Sequence, residues 1–393
     1  MKRKISILGS TGSIGISTLN IIDKKKKLFE VYLLLANKNY KVICHQIKKY
    51  NPKYFIVSDQ RTFNRVLKKF KKRKTKILNN LDKSIVRKVS DITISGVPGI
   101  AGLKPTLLMV KLSKKILIAN KESIICGWNL IQKEAKKNKT TIVPVDSEHF
   151  SIMKLLENQK IKRIDKIYIT ASGGPFLDYK LEKMRKIKPT EALRHPTWKM
   201  GKKISIDSAT LMNKILELIE AQKIFNIPAK KLEIIIHPNS LVHAIIKFKN
   251  GLNKFIYHET SMMIPLSNAI FDGDLKIIDF YKKKKKYKKK FPFENLFFKK
   301  VDPRIFPSIL LKDRANEYFS TSIIINAANE ILVDQFLSKK IPFLSIYKII
   351  MSILKDRNYK KYAIRKANNI KQISVIDTWG RQKTLELVKK IYG

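Results

Sequence analysis

Over the first 147 residues, short apolar blocks alternate with amphipathic stretches. Residues 4–8 and 31–36 read as apolar strands, and strand-like runs recur at 54–57, 92–95, 115–119 and 141–145. Helical periodicity fills the gaps, at 41–50, 61–70, 106–111 and 129–136. Strands alternating with helices predict a parallel α/β sheet carrying helices on its faces. The texture changes at 148. From there to 275, strand-like runs (164–170, 232–236, 241–248, 252–258) mix with helices, the pattern of an α+β domain. Residues 276–307 are Lys-rich and aromatic and read as a connector. Apolar residues at helical spacing in 322–336 and 344–354 make 308–393 a mainly helical domain. No internal repeat is visible.

Composition narrows the class. The chain has 393 residues, 44% of them hydrophobic, enough for a packed core and too many for wholesale disorder. No apolar run approaches the roughly 18 residues of a membrane span. Two cysteines, Cys44 and Cys126, cannot build a disulfide framework or a Cys-rich zinc site, and they suit a reducing compartment. The first residues, Met1-Lys-Arg-Lys, lead straight into strand 4–8 and a glycine loop, with no signal-like apolar stretch. A cytoplasmic protein with no membrane partner is expected.

The net charge of +51 points at first to a polyanion. The 69 Lys against 13 Arg change that reading, because Arg is the residue for bidentate phosphate or base contacts. The Lys is scattered and travels with Ile and Asn, whose codons are also AT-rich. Genomic base composition acting on solvated positions explains it, and no specific nucleic-acid partner is expected.

Six constellations carry candidate chemistry. Gly9, Gly12 and Gly15 follow the first strand and open a helix, a backbone suited to a pyrophosphate. The second strand ends in Ala36, Asn37, Lys38 and Asn39, with no acid for ribose hydroxyls. Lys38 suits a 2′-phosphate, so NADP is preferred over NAD, although Lys is common everywhere in this chain. Asp146 and Glu148, two apart after strand 141–145, point the same way on extended chain and suit Mg²⁺ or Mn²⁺. An N-cap at Asp146 or Ser147 is the alternative, and both can hold together. His149 reads as structural. Residues 205–217 read as a helix start in which Asn213, Lys214 and Glu217 share a face; by spacing alone, a surface Lys–Glu pair explains them. Ser208 there is either a cap or a phosphate ligand. Ser172-Gly173-Gly174 is an anion nest or a plain turn. The loop at 194–201, with His195 beside Pro196 and then Trp198, is a lid or a surface loop pinned by a buried Trp. Asn120, Lys121 and Glu122 end another strand, at the edge where such sheets bind ligands.

These motifs occur in one order, together with Lys203–Thr210 as Lys-Ile-Ser-Ile-Asp-Ser-Ala-Thr, His237-Pro238 and Asn326-Ala-Ala-Asn-Glu330. From residue 4 to at least 337 the chain resembles the 1-deoxy-D-xylulose 5-phosphate reductoisomerases. The resemblance implies a Rossmann-like NADPH domain (1–147), a catalytic and dimerisation domain (148–275) and a C-terminal helical bundle (308–393). It implies NADPH-dependent rearrangement and reduction of 1-deoxy-D-xylulose 5-phosphate to 2-C-methyl-D-erythritol 4-phosphate, the committed step of the non-mevalonate isoprenoid pathway, by a homodimer. Asp146, Glu148 and Glu217 would hold Mn²⁺ or Mg²⁺. Lys121 would lie near the reacting oxygens, and Ser147 would contact substrate. Ser172, Ser208, Asn213 and Lys214 would bind the phosphate, and His195 and Trp198 would close over it. Thr11, Gly12, Ser13, Ile14, Asn37, Lys38, Asn39, Asn120 and Glu122 would contact NADPH, with Met200 and Gly201 near the nicotinamide. The chain departs from the family pattern at Asn37, where Gly or another small residue is usual, at Ile215, where Gly is usual, and at 260–263, where Thr-Ser-Met-Met replaces a stretch commonly reading Pro-Asp-Met-Arg.

Two other classes compete. A semialdehyde-type dehydrogenase needs a catalytic Cys, and Cys126 has neither a neighbouring His nor a helix-start signature. A nucleic-acid-binding protein needs a recognition module, and none is visible.

Overall fold

The computed structural model describes residues 2–82, 90–198, 200–280 and 295–393. They form two compact units. The first comprises described residues within 1–123, 129–150 and 261–294; the second comprises 124–128, 151–260 and 295–393. The connector expected at 276–307 lies partly outside the described residues, as does Lys199 of the 194–201 loop.

In the first unit, the strands β1 (Arg3–Leu8), β2 (Phe29–Ala36), β3 (Tyr54–Val57), β4 (Lys76–Leu78), β5 (Ser90–Ser95), β6 (Ser113–Ile118) and β7 (Thr141–Pro144) form one parallel sheet. Its order is β4-β3-β2-β1-β5-β6-β7. Strands such as Phe-Glu-Val-Tyr-Leu-Leu-Leu-Ala in β2 are apolar on both faces because helices cover both sides of the sheet. Asn39, Asp59 and Asn120 cap the helices Tyr40–Tyr50, Gln60–Phe70 and Lys121–Asn138 by accepting from Val42, Thr62 and Ser123 amides. The chain order reverses at β1, flanked by β2 on one side and β5 on the other. Open α/β sheets bind ligands beyond the carboxyl ends of strands at such a reversal. The helix Met263–Phe271 also belongs to this unit, although its sequence lies in the 148–275 stretch. Its Leu266, Ala269 and Ile270 join the core of the first sheet, and Phe271 packs edge-on against Phe29.

In the second unit, β8 (Ile164–Ala171), β9 (Leu232–Ile236), β10 (Val242–Phe248), β11 (Asn253–Tyr257) and β12 (Lys299–Lys300) form a mixed sheet of order β11-β10-β8-β9-β12. β8 and β9 pair in parallel, and the other neighbours pair antiparallel. The helices Lys202–Ala209 and Met212–Phe225 belong to this unit. So do the C-terminal helices Thr321–Leu337, Ser345–Ile353, Tyr359–Ala363 and Ile370–Tyr392. No described helix is long and apolar enough to cross a membrane.

Candidate active site

The glycine loop leaves β1 through Gly9, whose φ of +84° favours glycine. A Cβ there would meet the Gly96 carbonyl oxygen at 2.6 Å, and one at Gly15 would meet the Gly9 oxygen at 2.5 Å. Gly12 sits at the N-cap of the helix Ser13–Lys24, with no side-chain cap. The first amides of that helix, flanked by Thr11, Ser13 and Ile14, are therefore available to an anion. Behind the loop, Ser10 Oγ donates to Gln46 Oε1 at 2.7 Å, and Gln46 Nε2 donates to the Ser10 carbonyl at 2.8 Å. Asn37, Lys38 and Asn39 are exposed at the end of β2.

Two more strand ends on this sheet carry charge. Lys121 opens the helix after β6, and Asp146 lies just beyond β7. Lys121 Nζ is 3.1 Å from Asp146 Oδ2, and His149 Nδ1 is 3.4 Å from Oδ1. Burial works to raise the Asp146 pKa. Lys121 and a hydrogen bond from His149 outweigh it and hold the carboxyl well below the usual carboxylate range. The geometry corrects one expectation. Asp146 and Glu148 do not alternate along extended chain: Glu148 is in the first turn of the helix Ser147–Leu156. They converge because Asp146 caps that helix. Its carbonyl accepts from the Phe150 amide at 2.8 Å and its Oδ1 from the Glu148 amide at 3.3 Å. Carboxylate oxygens of Asp146 and Glu148 then lie within 4.8 Å of each other. Ser147 Oγ donates to Glu148 Oε2 at 2.6 Å. An all-oxygen donor pair at this separation is of the kind a hard divalent cation takes, and the capping geometry leaves that open.

Asn120, expected at the cofactor, spends its side chain on the protein. It caps the helix through Oδ1 and donates through Nδ2 to the Val97 carbonyl and, at 3.0 Å, to the Gly99 carbonyl. Glu122 is buried and accepts from Asn120 Nδ2 at 3.3 Å.

The second unit gathers a different set. Gly173 and Gly174 turn the chain after β8 at φ of +84° and +61°, and the Gly174 amide donates to Ser172 Oγ at 3.0 Å. His195 Nδ1 accepts from the Thr197 and Trp198 amides at 3.2 and 3.0 Å. The ring proton is therefore on Nε2, which donates to Ser172 Oγ at 3.0 Å. Burial first, then the Lys214 charge, lower the His195 pKa to about 4, so the ring is neutral near pH 7. With two bonds accepted, Ser172 keeps its own O–H to donate.

Residues 205–217 are two helices rather than the single helix start expected. Lys202–Ala209 ends, Leu211 takes φ of +63°, and Met212–Phe225 begins. A buried non-glycine in that region is strained by roughly 1–2 kcal/mol. Ser208 therefore lies near the C-terminal end of its helix, not at an N-terminus. Beyond the bend, Lys214 Nζ is 2.8 Å from Glu217 Oε2, and Asn213 Nδ2 donates to Oε1. Glu217 is 1% exposed, so this is a buried cluster rather than a surface pair. A Cβ on Gly174 would lie 3.1 Å from the Ser208 carbonyl, which sets the Ser172 turn directly against Ser208. Trp198 packs edge-on to His243 with ring centroids 6.2 Å apart, and His243 stacks on His258 at 4.1 Å. Gly201 is exposed at the N-cap of Lys202–Ala209. Gln46, Asp207, His243 and His258 are buried polar side chains near these segments to which the sequence reading gives no individual role.

Models of known families match the chain in three blocks: 1-deoxy-D-xylulose 5-phosphate reductoisomerase over residues 5–127, and two C-terminal-domain models of that enzyme over 142–225 and 259–383. A 1-deoxy-D-xylulose 5-phosphate reductoisomerase of Pelagibacter ubique is 48% identical over 384 residues, covering 96% of this chain and 97% of the relative. One from a Wolbachia strain of Drosophila simulans is 40% identical, covering 90% of each. A solved DOX-P reductoisomerase in complex with NADPH, fosmidomycin and magnesium superposes with a TM-score of 0.88 at 30% identity, covering 98% of both chains. The Zymomonas mobilis enzyme in complex with NADPH gives 0.87 at 31% identity over the whole of both chains. The chain belongs to the 1-deoxy-D-xylulose 5-phosphate reductoisomerase family.

Proposed function

We propose that this protein converts 1-deoxy-D-xylulose 5-phosphate to 2-C-methyl-D-erythritol 4-phosphate with NADPH and Mg²⁺ or Mn²⁺. The observation that carries the reading is a shared edge. The glycine loop follows β1, Lys121 follows β6 and Asp146 follows β7, all at carboxyl ends of one parallel sheet. The glycine loop and the Asp146–Glu148 carboxylates are thus on the same side of one sheet, which supports reading them as a dinucleotide site and a cation-binding pair.

Asp146, Glu148 and Glu217 are the ligands in this reading. The bound cation supplies Lewis acidity at the substrate oxygens, and NADPH supplies the hydride. The protein's own residues do the rest. Thr11, Gly12, Ser13 and Ile14 present backbone to the pyrophosphate, and Lys38 meets the 2′-phosphate beside Asn37 and Asn39. Asn120 holds the β6 loop, with Glu122 beside it. Lys121, fixed by Asp146, keeps a positive charge and a donatable proton beside the reacting oxygens, and Ser147 hydrogen-bonds substrate. Ser172, Ser208, Asn213 and Lys214 take the phosphate, whose dianion suits the Lys214 ammonium and the free-to-donate Ser172 hydroxyl. Neutral His195 orients Ser172. Trp198, Met200 and Gly201 lie on the lid that excludes water.

A cytoplasmic homodimer is part of the same reading, supported by the family resemblance. Consumption of NADPH with 1-deoxy-D-xylulose 5-phosphate, followed with and without Mn²⁺, tests it. Turnover that needs both substrate and metal is expected; no turnover with both present overturns the reading.

A further inference from the structure

The segment Asn326-Ala-Ala-Asn-Glu330 has no part in the chemistry above, yet it is the polar centre of a buried helix. Asn326 and Asn329 are both fully buried within Thr321–Leu337. Asn329 Nδ2 donates to Asp207 Oδ1 at 2.7 Å. The other Asp207 oxygen takes Lys203 Nζ at 2.8 Å. Asp207 is 1% exposed, so a missing partner would leave a buried carboxylate half satisfied. The helix bearing Asn329 is itself anchored. Asn326 Nδ2 donates to Glu330 Oε1 at 3.2 Å, Glu330 pairs with Arg381, and Arg381 Nε bonds Asp377 Oδ2 at 2.7 Å.

Asp207 immediately precedes Ser208. The strained bend at Leu211 follows, and the Ser172 turn rests on the Ser208 carbonyl. A shift at Asp207 therefore moves Ser208 and presses on the Ser172 turn.

We infer that Asn329 is a positioning residue for the substrate phosphate: through Asp207 it fixes Ser208 and the adjoining Ser172 turn. The C-terminal helices are then part of the phosphate-binding machinery. The inference rests on the reading that Ser172, Ser208 and Lys214 bind that phosphate.

The test compares Asn329→Ala with the exchanged pair Asp207→Asn/Asn329→Asp, using full-length enzyme. In the exchanged pair, the side-chain oxygen at position 207 still accepts from Lys203, and the new amide there donates to the carboxylate now at position 329. The tether is rebuilt with the charge moved. Asn329→Ala should raise KM for 1-deoxy-D-xylulose 5-phosphate about tenfold or more and weaken inhibition by inorganic phosphate in parallel. KM for NADPH should stay within about twofold, and the exchanged pair should recover most of the loss. A lower melting temperature with unchanged KM for the sugar phosphate, or equal rises in both KM values, overturns the inference. If Asn329→Ala does not fold, the exchanged pair decides: native melting with a strongly raised sugar-phosphate KM overturns it, and near-native KM supports it. Lys214→Ala separates the underlying reading. If that variant keeps wild-type phosphate inhibition, the phosphate site itself is misassigned. If Lys214→Ala abolishes inhibition and Asn329→Ala does not, only the tether fails.

Discussion

Lys214 serves two partners at once: its ammonium lies 2.8 Å from the buried Glu217 carboxylate, and, after burial, its charge is the second cause that lowers the pKa of His195. Lys214→Met separates the two effects. The Asn213 bond to Glu217 would remain, and removing the ammonium 2.8 Å from a buried carboxylate costs about 3 kcal/mol. The same change should raise the His195 pKa. Chemical denaturation and histidine ring NMR on one variant measure both. A variant of wild-type stability would show that the Lys214–Glu217 pair contributes nothing net.

His195 should titrate near pH 4 in the free enzyme. Its folded pKa is depressed from 6.5, so between about 6.5 and 4 the unfolded chain takes up the proton and the folded one does not. Stability contributed by the neutral ring is full above 6.5, falls as pH drops through that window, and levels off below 4. His195→Gln should flatten this part of the stability–pH curve. A ring signal titrating near 6.5 would mean that the Ser172–His195 contact is open in solution.

Lys38→Asp should narrow the preference for NADPH over NADH. Lys38 is exposed at the end of β2 where a 2′-phosphate would sit, and one charged contact is worth about ten- to hundredfold in discrimination. The ratio of kcat/KM values for the two cofactors measures it. An unchanged ratio would place the reading of the 2′-phosphate on another residue.

The first sheet was legible because its signals are local. Val31–Ala36 in β2 and Tyr54–Val57 in β3 are short apolar runs, and Gly9 and Gly15 mark positions where a side chain would collide with backbone. Three features were hidden for physical reasons. β4 is only three residues, Lys76–Leu78, too short to show a period. The bend at Leu211 needs a left-handed residue, and Leu carries no local mark of that conformation; tertiary packing imposes it. The Asp207–Asn329 bond joins residues 122 apart, so neither neighbourhood announces the other. The Asp146–Glu148 pair was found for an incomplete reason: two residues apart is also the spacing from an N-cap to the first helical turn, where the cap draws the carboxylates together.

That double role of Asp146 makes it the most informative substitution. Asn caps a helix about as well as Asp, so Asp146→Asn should keep the Glu148 and Phe150 amide bonds and remain folded. It removes the charge paired with Lys121 at 3.1 Å and replaces a carboxylate with an amide oxygen, a weaker donor to a divalent cation. If Asp146 is only a cap, melting temperature, Mn²⁺ binding and turnover should all stay near wild type. If it is a ligand, the fold should survive while Mn²⁺ affinity drops and turnover falls about a hundredfold or more. Glu217→Gln is the companion. It keeps the shape but only one acceptor oxygen, so its amide nitrogen faces Asn213 or Lys214 without accepting from it, and a structural role predicts a stability loss with normal metal binding. Calorimetric Mn²⁺ titration beside NADPH oxidation reads both variants. A shared metal defect in two folded proteins is the expected result, and wild-type affinity in either would strike that residue from the ligand set.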